Sequence, residues 1–249
     1  VSVVVLAILV AGACTDAPRR ARPQSTPAPS RPEGAALPQC DNRVDVLSKA
    51  APRESGRISA DLDGRGGSEL AWITVTRTAH DDCRAWLVVE GSAGRIAAPI
   101  AGTDPFALAS LGLPALNGAV TIDRQPGTEI LVDVTAGAST TFVGVFAVHR
   151  ESVVRIAVVG RGAPPGNLFP YGGSVGHLDA VDCAGEGSVV ATRAQAGARR
   201  YLVSRHYFAA TGSVWRARPA LTKRARARFA ELESRWPEFG SSPFLSCGT

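Results

Sequence analysis

The sequence predicts an all-β fold: three antiparallel units of about sixty residues, followed by one amphipathic C-terminal helix. Three observations carry this. An acidic, glycine-rich motif recurs at an offset of sixty residues. Short apolar runs bounded by turn residues follow each copy in the same order. Beyond residue 220 the apolar spacing changes from two to three and four.

"LDGRGGSELAWITV", Leu62 to Val75, superimposes on "IDRQPGTEILVDVT", Ile122 to Thr135, without a gap. Asp63 meets Asp123, Gly67 meets Gly127, and Glu69 meets Glu129. A looser third copy is "HLDAVDCAGEGSVVATRA", which places Asp179 where the first copy has Asp63. A repeat of this length implies a supersecondary unit that stacks on its neighbours. Behind each copy come two further runs: "RAWLVVEG" and "GRIAAPIA", then "TFVGVFAVHR" and "SVVRIAVVG", then "RRYLVSRHYF" and "GSVWRARPAL". They are eight to ten residues long and rich in Val, Ile and aromatics, with Gly and polar residues between them, which favours strands. In "EILVDV" the alternation puts Ile130, Val132 and Val134 on one face, Leu131 and Asp133 on the other. The units span about 55–115, 116–170 and 171–220 within a domain of residues 40–249.

The pattern resembles the VCBS/FG-GAP repeats, whose "D-x-D-G-D-G-x-x-D/E-L" loop joins the first two strands of a β-propeller blade. The resemblance covers about residues 55–220 and implies four-stranded sheets around an axis. Propellers close with four to eight blades. Three units therefore predict a propeller-like array, with an irregular β-sandwich of the same sheets as the alternative.

In "ALTKRARARFAELESRW", Leu221, Ala225, Phe229, Leu232 and Trp236 form a stripe at spacings of three and four. The spacing predicts a helix over about 221–236, capped by Thr222, ended by Pro237 and docked on an exposed edge. Arg216, Arg218, Lys223, Arg224, Arg226 and Arg228 then form either a solvated helix face or a track for a polyanion.

Residues 1–13, "VSVVVLAILVAGA", are uncharged, apolar or small, as a signal peptide is, and too few to span a bilayer. The ending "AGAC" resembles a bacterial lipobox, with Ala11 where Leu is usual. The resemblance implies cleavage before Cys14, diacylglycerol on Cys14 and an extracytoplasmic, lipid-anchored protein. The stretch through residue 39 is rich in Pro, Ser and Arg, a composition that reads as a solvated tether. Abundant Arg with only Lys49 and Lys223 is similar to an actinobacterial proteome.

Four further cysteines, Cys40, Cys83, Cys183 and Cys247, suggest two disulfides in an exported chain, with three connectivities open. Pairing near neighbours gives Cys40–Cys83 and Cys183–Cys247. Cys40–Cys247, closing the array end to end, competes.

Asp61, Asp63 and Glu69 present oxygen at loop positions one, three and nine, as a calcium loop requires, but Arg65 stands at five. The expectation is a structural turn with no resident cofactor and, at most, weak calcium binding. Asp63, Glu69, Asp123, Glu129 and Asp179 are its acids, and Arg65 an internal counter-charge. "GGSVG", Gly172 to Gly176, fits a nucleophile elbow followed by Asp179, Asp182 and His206, but it lies among predicted β-hairpins. His80, Asp81 and Asp82 read as a polar turn. No set of residues converges on a reaction, so the chain reads as a non-enzymatic envelope binding or scaffold module. Its partners would be the membrane, through lipid, and an acidic wall polymer or a protein, not nucleic acid. A cell-envelope hydrolase and a calcium-dependent adhesion module are the alternatives.

Overall fold

A computed structural model describes residues 37–49, 56–77 and 81–248, which lie in one compact unit. The signal segment, Cys14, the tether up to residue 36 and His80 fall outside the described residues. Strands account for 48% of the described residues and helices for 15%, so the fold is all-β, and neither sheet closes.

After a short helix α1 (Arg43–Lys49), strands β1 (Arg57–Ala60), β2 (Glu69–Val75), β3 (Ala85–Gly91) and β4 (Gly94–Pro99) form an antiparallel meander in sequence order. Helix α2 (Pro105–Ser110) follows. Its N-cap, Asp104, accepts hydrogen bonds from the Phe106 and Ala107 N–H groups. A second meander comprises β5 (Ala115–Val120), β6 (Glu129–Ala136), β7 (Thr140–His149) and β8 (Ser152–Arg155). Strand β9 (Ala157–Val159) leads to β10 (Phe169–Ser174), which pairs with β7 and carries the sheet on. There β11 (His177–Cys183), β12 (Ser188–Ala196), β13 (Tyr201–Ala209) and β14 (Val214–Ala217) follow, and β14 returns to β9 in parallel.

Alternation along these strands builds the core in layers, because successive side chains point to opposite faces. Ala71, Leu87 and Val89 of the first sheet meet Ile130, Val132, Val134 and Phe146 of β6 and β7. The opposite faces of β6 and β7, with Leu131, Val143 and Val145, meet Val181, Val189, Phe208 and Trp215. Strand β6 is therefore buried on both sides. The two outer faces are covered by short segments: Val46 of α1 packs on Trp72 and Trp86, and Leu232 and Trp236 pack on Ala194 and Val203. Burial of each such large apolar side chain contributes about 1.5–3 kcal/mol.

Each cover is tied by a disulfide, Cys40–Cys83 at α1 and Cys183–Cys247 at the C-terminus, with Cα atoms 5.7 and 5.2 Å apart. These are the near-neighbour pairs. The end-to-end alternative does not form.

The expected helix over 221–236 is not what the chain forms. Lys223–Ala227 is strand β15, paired antiparallel with β13 from Tyr201↔Ala227 to Arg205↔Lys223, and only α3 (Leu232–Arg235) is α-helical. Two stripe residues, Leu221 and Phe229, stay 43% and 56% exposed, so the helical period had no surface to bury. The competing period of two in "RARAR" prevails: Ala225 and Ala227 pack inward while Arg224, Arg226 and Arg228 point out. The open side of β13 supplies the backbone partners.

Replacing Cys183 and Cys247 together by Ser should lower unfolding free energy by about 2–4 kcal/mol, measured in urea. Phe244 and its neighbours should become the first segment cut by protease, since only packing and a few hydrogen bonds then hold them.

Candidate functional site

The three acidic loops lie against one another. In the first, Gly64 and Gly66 adopt φ of 73° and 79°, the left-handed region that suits glycine. The chain curls so that its own N–H groups point at carboxylates. Asp61 accepts from Gly64 N–H (2.8 Å) through Oδ1 and from Gly66 N–H (3.0 Å) through Oδ2. Asp63 Oδ1 accepts from Arg65 N–H at 3.0 Å. Glu69 Oε2, at the start of β2, accepts from Leu62 N–H (2.8 Å) and Asp63 N–H (3.3 Å). Arg65 does not sit inside as a counter-charge. Its Nε lies 3.5 Å from Asp63 Oδ2 and its side chain is 60% exposed.

Sixty residues on, the second loop repeats two of these bonds. Glu129 Oε2 accepts from Ile122 N–H at 2.9 Å, and Asp123 Oδ1 from Gln125 N–H at 2.7 Å. Asp123 Oδ2 is taken by Gly212 N–H at 2.8 Å. Leu62 and Ile122 are both fully buried, so each glutamate satisfies a backbone donor that water does not reach.

Between loops the contacts are made mainly by backbone groups. Thr128 donates to Asp61 O through its N–H (2.9 Å) and its hydroxyl (3.2 Å). Gly187 N–H donates to Ile122 O at 3.0 Å and Ala210 N–H to Gly187 O at 3.0 Å. Glycine is required at Gly127, where a Cβ would lie 2.7 Å from Leu62 O.

Asp179 is a correction. It lies inside β11, not in a loop, with Arg193 Nε at 3.7 Å and His177 Nε2 at 3.6 Å. The third turn is residues 184–187, and the acid beside it is Asp182. Asp182 Oδ1 accepts from Cys183 N–H and Ser246 N–H, both at 2.8 Å, and Oδ2 from the Ser246 hydroxyl at 2.7 Å. This clamp on the C-terminal segment was missed, because nothing in the local pattern points to a partner 64 residues away. Also missed was Glu238, buried against Thr192 (2.8 Å) and Arg205 (3.0 Å).

Burial pushes the Glu129 carboxyl up to about 7, reinforced by nearby Asp123, although Ile122 N–H opposes it. Asp133 is raised by burial against the Asn117 and Tyr171 donors, and Asp179 by burial against Arg193 and His177. Burial, with Asp133 alongside, takes Tyr171 up to about 12.

The hydrolase candidates do not assemble. Ser174 ends β10 opposite His177 in a tight hairpin, and its Oγ accepts from Gly176 N–H at 3.3 Å. A strand follows where an elbow needs a helix. Through His177 and Gln195, Ser174 shares a row with Leu202 three strands away, and His206 lies four residues further along β13, which puts Ser174 and His206 roughly 20 Å apart. Asp82 ties its turn to the one after β4, accepting from Gly102 N–H at 3.1 Å.

Among the described residues, Asp61, Asp63 and Glu69 form a carboxylate cluster, one oxygen from each lying within 4.8 Å of the others. Carboxylate lone pairs remain for a cation, but much of the charge already serves backbone N–H groups.

No protein-family model matches the chain, and neither the curated proteins nor the solved structures compared with it are similar to it.

Two outcomes follow for the loops. Glu69→Ala should cost about 1–3 kcal/mol by stranding Leu62 N–H, and Asp63→Ala about 1 kcal/mol. Melting temperatures should be the same in chelator and in millimolar calcium; a calcium-dependent rise abolished by Asp61→Ala would show a bound metal. The raised carboxyls give the second. Glu129 holds its proton more tightly folded than unfolded, so its contribution is complete below its ordinary value of 4.5 and is lost as pH rises through about 7. Asp133 and Asp179 act in the same sense. The melting temperature should fall between pH 5 and 7.5, and Glu129→Gln, which keeps an acceptor for Ile122, should flatten that fall.

Proposed function

We propose that the chain is a non-enzymatic module of the bacterial cell envelope, anchored by lipid on Cys14, whose β-domain binds or scaffolds a partner. We further infer that its units are degenerate VCBS/FG-GAP-type repeats in a propeller-like array that remains open. The observation that carries this reading is the use to which the loop residues are put. Their acids hold backbone turns and their glycines admit the next loop, as a structural repeat requires. The recurrence of the Glu–backbone bond at Leu62 and Ile122 supports a common ancestry of the first two units.

Two disulfides fit an oxidising, extracytoplasmic compartment. Among the described residues no helix is long and apolar enough to cross a membrane, so attachment on this reading falls to the lipid. The hydrolase reading has less support, since Ser174 and His206 stand far apart on the sheet. Calcium-dependent adhesion draws on the cluster in the first loop alone.

Cys14→Ala should move the protein from the membrane fraction to the medium. An unmodified N-terminus on the native protein, read by mass spectrometry, would remove the anchor. Labelling of Ser174 by a fluorophosphonate probe would restore the enzyme reading.

A further inference from the structure

The correction at residues 223–227 turns a run of basic residues into a designed-looking surface. Paired registers align Asp179, Arg193, Ser204 and Arg224 in one row across β11, β12, β13 and β15. The adjacent row ends in Leu202 and Arg226. Strands lie about 4.8 Å apart, so Arg193 and Arg224 are rooted roughly 10 Å from each other on either side of Ser204. Arg224 and Arg226 are about 7 Å apart along β15. Orientation is fixed from behind, where Val203, Ala225 and Ala227 pack against Leu232 and Trp236.

This face is open and under-neutralised. Arg224 and Arg226 are exposed, and the Arg193 side chain is 58% exposed. Its acid is Asp179, 3.7 Å from Arg193. Among the described residues Arg161, Arg224 and Arg226 have no carboxylate within 4.0 Å. Gly162 lies against the His206 ring, which places its neighbour Arg161 beside the same rows, and burial followed by Arg161 and Arg224 lowers the His206 pKa.

We propose that the face formed by Arg193, Ser204, Arg224 and Arg226 binds a linear, phosphate-bearing polyanion. The proposal rests on the binding-module reading and names its ligand. A guanidinium presents a planar fork of N–H donors that pairs with two oxygens of one phosphate. A tetrahedral phosphate over Ser204 offers oxygens to the forks on both sides and to the hydroxyl between them. A planar carboxylate has two oxygens to share. Successive charges along the polymer then meet Arg226, and release of counterions drives the association. Leu202 is the sole apolar side chain of these two rows beyond β12, which leaves nothing to insert among acyl chains. The one aromatic ring of the two rows, His177, stands at the far end from β15 and is held by Thr140, so nucleobases find no stacking ring beside the arginines.

The test is titration of the purified full chain with linear polyphosphate at 50 and 200 mM salt, with poly-glutamate and phosphatidylglycerol vesicles as separate arms. Polyphosphate should bind and weaken steeply with salt. Arg224→Ala with Arg226→Ala should weaken it about tenfold or more, and Arg193→Ala should weaken it also. Arg216→Ala, on the face of β14 opposite the buried Trp215, should leave it unchanged. Unaltered melting temperatures establish that the variants fold. Absence of polyphosphate binding overturns the proposal, as does equal loss with Arg216→Ala. Poly-glutamate bound as tightly replaces phosphate by carboxylate, and vesicles bound in place of polyphosphate through the same arginines make the partner a membrane. Any of these failures, alongside release of the protein by Cys14→Ala, leaves the anchored module standing and removes only this ligand.

Discussion

The pairing of Glu69 and Glu129 with the buried N–H groups of Leu62 and Ile122 is the interaction on which the layers depend. Each loop turns away from its strand just where a large apolar side chain plunges into the core. The turn leaves a backbone donor facing the interior, and an unpaired buried donor costs about 1–3 kcal/mol. The glutamate at the head of the next strand supplies the acceptor. Its carboxyl is then itself buried, which is why Glu129 titrates so far above the ordinary range. Because the loop is held from within, its outer edge is free to meet the neighbouring loop, and Thr128 and Gly187 use it.

Layer stacking creates a second constraint, since a stack has two ends. The first sheet turns Trp72 and Trp86 outward and the last turns out Ala194 and Val203. A propeller that closes removes this problem by wrapping round. An open array must cover both ends with other chain. Here α1 and the C-terminal segment do so, and each is too short to hold by packing alone. A disulfide fastens each cover, and Asp182 adds two hydrogen bonds from Ser246 at the C-terminal one. Each cross-link closes a loop in the unfolded chain, spanning 43 and 64 residues, and so restricts its freedom.

The C-terminal cover also brings the arginines together. Strand β15 buries its alanines under Trp236 and so turns its arginines to the opposite side, beside Arg193. Self-repulsion among such charges is tolerable at an exposed surface, where water and salt screen it. It leaves a face whose charge Asp179 offsets at Arg193 alone.

The sequence by itself determined the strands other than β15, the turn acids of the first two loops and the alternation along β6. These are local matters: a period of two, glycine where φ is positive, and a short acid placed to accept from its own turn. The near-neighbour disulfides were legible too, though as one connectivity among three. Asp179 was assigned to a loop because the third copy lacks the glutamate that fixes the register of the others, leaving the alignment free to slip. The helix over 221–236 was a stripe that a lone segment would prefer. Only the tertiary structure decided against it, because the open side of β13 offers backbone hydrogen bonds and an apolar bed for Ala225 and Ala227 that no isolated helix has. The same is true of the Asp182–Ser246 clamp, the Glu238–Arg205 pair and the arginine rows. Each joins residues far apart in the chain, and their meeting is set by how the layers stack rather than by anything written next to them.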